Sequence, residues 1–272
     1  MWAWEGWPAG ALWGSGPDDV WSVGPTVGAV RRFDGKTWQA VDVGIPAFIP
    51  VSVTGSGADD LYVAASDGRV ARYDGAWQLD GEVMDAPALA ATGPGTLVAV
   101  GEGDTVMVRE EGLWQSQLLP LKASLRGAAG SAPDHVFAVG DGGRVLYSDG
   151  AQWNELASPT TASLRGVAML TEESAVAVGD GGVILRLDTG GITSMEPLPE
   201  PYTKLGVRGV WATDVDRVFA VSVQSLHYFD GEAWSTLYLP FFDSTAAVWA
   251  ASAQEIHVGG LQHASLHCRV SP

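Results

Sequence analysis

A chain of 272 residues with 35 glycines and 15 prolines cannot be a long-helix bundle or a coiled coil, because both residue types weaken a helix interior. The 15 basic against 32 acidic side chains leave a net charge of −17, which speaks against a nucleic-acid partner, since phosphate binding needs clustered Lys and Arg. Apolar residues at 46% exclude disorder, no apolar run reaches the ~18 residues of a membrane helix, and the lone Cys268 excludes an internal disulfide.

The lead segment, with Trp2, Trp4 and Trp7, lacks the basic and apolar regions of a secretory leader, so no signal peptide is expected. Beyond it the sequence repeats. Gly14-Ser15-Gly16-Pro17-Asp18-Asp19-Val20-Trp21 returns as Gly55-Ser56-Gly57-Ala58-Asp59-Asp60-Leu61-Tyr62, and again as Gly130-Ser131-Ala132-Pro133-Asp134-His135-Val136-Phe137. Val20, Leu61, Leu97, Val136, Ala175, Val218 and Ile256 hold one equivalent position. A period of roughly 40 residues built from short strands is the signature of a β-propeller with about four strands per blade. The expectation is an all-β, seven-bladed propeller of four-stranded antiparallel blades, one domain over residues 1–272.

The fourth unit shows the internal pattern. Leu125 to Ala129 is a small-residue inner strand, and Val136 to Val139 an apolar second strand. Asp141-Gly142-Gly143 is a tight hairpin with glycine supplying positive φ. Arg144 to Tyr147 is a third strand, Asp149-Gly150 a second hairpin, and Trp153 to Leu156 a polar outer strand. Asp-Gly followed by Trp recurs as Asp34-Gly35 with Trp38, Asp74-Gly75 with Trp77, and Asp230-Gly231 with Trp234. The third unit varies it as Glu111-Gly112 with Trp114, and Glu102 to Thr105 falls where its first hairpin belongs. The seventh unit lacks an outer strand, which the segment around Trp2, Trp4 and Trp7 can supply, leaving no open edge. Two connections, Asp42 to Pro50 and Glu196 to Lys204, depart from the period and are open to functional decoration or to tolerated drift.

These repeats resemble the bacterial propellers of the Asp-box and photosystem II stability factor-like group. The resemblance rests on Val207-Arg208-Gly209-Val210-Trp211, on Val139-Gly140-Asp141-Gly142-Gly143 and on the Asp-Gly/Trp turns. It implies the propeller architecture over nearly the whole chain. The group spans sialidases, assembly factors and surface proteins; here the leading Ser of the sialidase Asp-box is mostly absent.

The sharpest chemical feature is a set of arginines. Arg126, Arg165 and Arg208 occupy one inner-strand position in three consecutive units, where the others have Gly10, Val51, Pro87 and Ala246. Converging guanidiniums suit a carboxylate or phosphate. Two readings stand: a ligand site at the channel mouth, or structural pairing with the hairpin acids Asp141 and Asp180. Trp2, Trp4 and Trp7, outside the repeat, suit sugar stacking or a protein partner as well as strand closure. Paired acids such as Asp18-Asp19 and Asp59-Asp60 recur by unit and read as turn caps. His257, His263 and His267 beside Cys268 favour packing over metal binding, and no cofactor or metal is expected.

The resulting expectation is a monomeric, non-catalytic scaffold offering a propeller face to a protein or peptide ligand. A carbohydrate-binding propeller is the alternative, with a sialidase-like glycosidase third. The compartment is open, with the cell surface or exterior favoured.

Overall fold

The Asp-Gly turns close hairpins as their chemistry requires. One carboxylate oxygen of Asp34 accepts the backbone N–H groups of Lys36 and Thr37; Asp149 does the same with Ala151 and Gln152, and Asp230 with Glu232 and Ala233. Those bonds hold all three carboxyls below the usual carboxylate range. The glycines beside them take positive φ: 86° at Gly35, 83° at Gly150 and 97° at Gly231. They also make room, since a Cβ on Gly35 would lie 2.2 Å from Asp18 Oδ1 and one on Gly150 would lie 2.9 Å from Asp134 Cβ. The acid of the first turn therefore rests on the glycine of the third turn in the same unit, at the same end of the meander.

The chain is an all-β propeller, with no α-helix among the described residues. The computed structural model describes residues 2–5, 7–83, 88–240, 244–260 and 265–269. Four sheets are consecutive four-stranded antiparallel meanders: Ala11–Gly16 to Trp38–Val41, Pro50–Gly57 to Trp77–Glu82, Leu164–Met169 to Gly191–Ser194, and Val207–Asp214 to Trp234–Tyr238. A further sheet takes Thr245–Ser252, Glu255–Gly260 and Ser265–Arg269 and adds Trp2–Glu5 at its outer edge, with Trp2 opposite Cys268 and Glu5 opposite Ser265. The expected closure by the lead segment is present.

Seven separate four-stranded sheets are not. Ala88–Gly93 through Trp153–Glu155 form one seven-stranded sheet, so the described residues make six hydrogen-bonded sheets. The cause lies in the strand Leu113–Ala132. Between Val41 and Pro50, between Glu155 and Leu164, and between Ser194 and Val207, a loop parts the outer strand from the next inner strand. Here Glu102 pairs with Ser124 and Gly103 with Ala123, so the chain stays extended until Leu125 passes to Gly140. The hairpin expected at Glu102 to Thr105 is consequently strand, within Glu102–Glu110.

The innermost strands circle one axis. Ala11–Gly16, Pro50–Gly57, Ala88–Gly93, the second half of Leu113–Ala132, Leu164–Met169, Val207–Asp214 and Thr245–Ser252 touch in succession, and the last returns to the first. Second strands are buried throughout, as in Asp19–Val23 and Ser174–Gly179, because each lies between neighbouring sheets. Trp21, Tyr62, Phe137 and Phe219 are fully buried there. Each such side chain contributes about 1.5–3 kcal/mol of transfer free energy. Both off-period connections also reach the core: Val43 and Phe48 pack with Val23 and Val63, and Leu198 packs with Trp234.

Candidate functional site

Each of the three arginines follows a buried aliphatic residue (Leu125, Leu164, Val207) and precedes a glycine. Each is also the extra residue of a β-bulge. Leu125 and Gly127 face consecutive partners, Gly140 and Val139, leaving Arg126 unpaired between them; Leu164/Gly166 and Val207/Gly209 repeat this around Arg165 and Arg208. A bulge re-aims a side chain, and here it turns the three guanidiniums to solvent at the end of the channel where inner strands begin. The glycine lets the next strand approach: a Cβ on Gly209 would lie 2.8 Å from Ala246 O.

Asp141 and Asp180 open the short turns Asp141–Gly143 and Asp180–Gly182. Arg126 donates from Nε (3.2 Å) and Nη2 (2.5 Å) to the two oxygens of Asp141. Arg165 repeats the fork on Asp180 at 3.1 and 2.7 Å. The pairing reading of the sequence thus describes these two contacts. Arg208 differs: its Nη1 donates to Ser244 Oγ at 2.9 Å, and it makes no ion pair among the described residues. Charges nonetheless couple along the arc. Arg126 holds the Asp141 carboxyl below its usual range with help from Arg165, and Arg165 does so for Asp180 with help from Arg208. Glu102 adds a negative charge beyond Arg126. The mouth is an arc of alternating sign with half-exposed side chains (36–48%), ending at Arg208.

The unpatterned tryptophans divide. Trp7 sits edge-on to Trp38, with the Arg31 guanidinium 4.4 Å over its ring, at the seam of the first and last sheets. The side chains of Trp2 and Trp4, and His263, lie outside the described residues. His257 is buried against Phe33, Trp38 and Trp249.

Polar networks of the interior were less visible in sequence. Asp19 accepts from Ser15 Oγ, Trp21 Nε1 and Arg32 Nε, and Asp60 from Ser56 Oγ, Tyr62 Oη and Gly95 N. The signal was present: a Ser four residues before the Asp, an aromatic two after it, and an Arg in the third strand. Burial and the Asp60 bond push the Tyr62 hydroxyl up to about 12, so it serves as a structural donor.

No family model matches the chain, and no curated protein matches it. Solved structures do. YCF48 bound to D1 peptide is similar with a TM-score of 0.77 at 15% identity, covering 99% of this chain and 97% of that one. YCF48 from Cyanidioschyzon merolae has a TM-score of 0.73 at 18% identity, over 98% of each chain. Virginiamycin B lyase from Staphylococcus aureus has 0.82 at 11% identity, over 100% of each. A peptide-bound propeller and a lyase thus share one architecture with this chain, which makes it a β-propeller and leaves its activity to its own side chains.

Proposed function

We propose that the chain is a non-catalytic binding scaffold, one domain over residues 1–272, that presents the arginine face to a protein or peptide ligand carrying acidic groups. The ring is read as seven blades once Leu113–Ala132 is counted in both sheets that it joins. The observation that carries the proposal is the occupant of a bulge shared by several inner strands: Val51 and Ala246 fill it in two units, whereas three consecutive units place an exposed arginine there, at one mouth. Exposed ion pairs are worth only ~0–1 kcal/mol, so a ligand carboxylate can replace Asp141 or Asp180 at little cost. Arg208, with Ser244 beside it, is the natural first contact. A similar propeller bound to a peptide supports the reading.

Peptide display on the wild type and on the triple variant Arg126→Glu, Arg165→Glu, Arg208→Glu tests it, with a glycan array run alongside. Acidic or free-carboxylate peptides should be enriched and then lost in the variant at unchanged melting temperature. Peptides indifferent to the triple variant, or glycan binding without peptide binding, would reject it.

A further inference from the structure

The opposite mouth of the channel is built differently. Trp13, Thr54, Ala90, Ala129, Ala168, Trp211 and Trp249 hold one register position, facing Trp21, Tyr62, Val98, Phe137, Val176, Phe219 and His257 on the second strands. Where the residue is Trp, its indole reaches the inner strand of the next sheet. A Cβ on Gly14 would lie 2.7 Å from the Trp249 ring, one on Gly55 would lie 2.9 Å from the Trp13 ring, and Trp211 Nε1 donates to Ala250 O at 2.9 Å. Thr54 bridges with its hydroxyl, accepting the Ala91 N–H at 3.0 Å. Alanine at 90, 129 and 168 cannot reach.

The missing side chains leave space. A cavity of about 350 Å³ opens at this mouth, walled by Leu12, Trp13 and Trp211 on one side and by Ala90, Ala129 and Ala168 on the other. Antiparallel pairing brings every turn between first and second strands to this end. Those turns carry Asp18, Asp59, Asp134, Glu172, Glu173 and Asp216, all exposed, in five of the repeat units. Against them stand His135, paired with Asp134, and Arg217, paired with Asp214. An excess of one sign around an apolar cleft focuses the field into it.

We infer that this mouth docks a basic peptide segment that inserts one aromatic side chain into the channel. The occupant is aromatic because the absent wall groups are repeat-equivalents of indoles, and Trp13 and Trp211 offer ring surface to pack on. It is a single side chain because the cavity sits at the small end of the ~300–1,000 Å³ of ligand clefts. It is basic because the rim is acidic. The surface is separate from the arginine arc, and its ligand has the opposite charge.

The probe is labelled acetyl-Lys-Lys-Trp-Lys-Lys-amide, followed by anisotropy at low and raised ionic strength. It should bind, and bind more weakly as salt rises. Versions with Ala for Trp, or Glu for Lys, should bind about tenfold more weakly or worse. Ala168→Trp, which installs the repeat's own indole, should weaken the probe about tenfold. Should that variant fail to fold, Glu172→Lys with Glu173→Lys on exposed turn positions should weaken it and flatten the salt dependence. The triple arginine variant should leave it unchanged. No binding at millimolar probe, equal binding of the Glu version, or indifference to both rim and cavity variants overturns the inference.

Discussion

Arg109 grips Asp80 across the gap between two sheets with two 2.7 Å bonds, Nε to Oδ2 and Nη2 to Oδ1. Trp114 Nε1 adds a third bond to the same carboxylate at 2.9 Å, and Arg109 Nη1 reaches Gly95 O at 2.6 Å. Both side chains are nearly shut off from water, at 5% and 8% exposure. Removing one partner strands a buried charge. Asp80→Ala should therefore cost about 3–5 kcal/mol, whereas Asp80→Leu with Arg109→Met should restore most of it. Urea denaturation of the three proteins measures both, and an Asp80→Ala loss below ~1 kcal/mol would show the pair to be hydrated.

His227 gives the protein an acid-sensitive seam. The ring is fully buried between Ser222 Oγ and Thr236 Oγ1, each at 2.8 Å, and burial lowers its pKa from 6.5 to about 4. The unfolded chain takes up this proton first as pH falls. Stability from this group is full above pH 6.5, declines between 6.5 and 4, and is flat below; the loss is on the order of 3 kcal/mol. Melting temperature against pH should show this slope in the wild type, and His227→Gln should flatten it.

Adjacent glycines should respond unequally to alanine. Gly142 and Gly143 both adopt positive φ, at 70° and 75°. A Cβ on Gly142 meets nothing within 4 Å, whereas one on Gly143 would fall 2.0 Å from the Thr160 carbonyl oxygen. Gly142→Ala should cost about 1–2 kcal/mol from the left-handed backbone alone. Gly143→Ala should cost clearly more, because a main-chain carbonyl has to move. Equal losses by denaturation would mean the Thr160 segment yields freely.

The arginine arc should gain anion affinity when its internal acids are neutralised. Asp141→Asn with Asp180→Asn keeps the shape but releases Arg126 and Arg165 from their forks. Stability should change by less than ~1 kcal/mol per pair, as for other exposed pairs. Binding of an acidic peptide, followed by calorimetry, should tighten several-fold and become more salt-dependent. Unchanged binding would place the ligand elsewhere.

Turn chemistry made much of the fold legible. Gly35, Gly75, Gly112, Gly150 and Gly231 all adopt positive φ at the hairpins that Asp-Gly and Glu-Gly announced. The repeat also located the arginines and their acid partners, because position within a unit fixes which strand end a residue occupies. What the repeat hid were exceptions to itself. Nothing in Leu119 to Ser124 advertises an extended link, since the pairing of Ala123 with Gly103 depends on the partner's path. Asp80 and Arg109 escaped notice for a similar reason: their contact joins different units, and only the packing angle between sheets brings them together.

Pairing of Trp2–Glu5 with Ser265–Arg269 joins two strands separated in sequence by the whole run of repeats. Until Ser265–Arg269 has left the ribosome, Trp2–Glu5 has no strand to pair with. Up to that point the nascent ring is an open arc with an uncovered flank, and Ser265–Arg269 acts as its clasp. Chaperone dependence and sensitivity to premature termination should both concentrate in that interval.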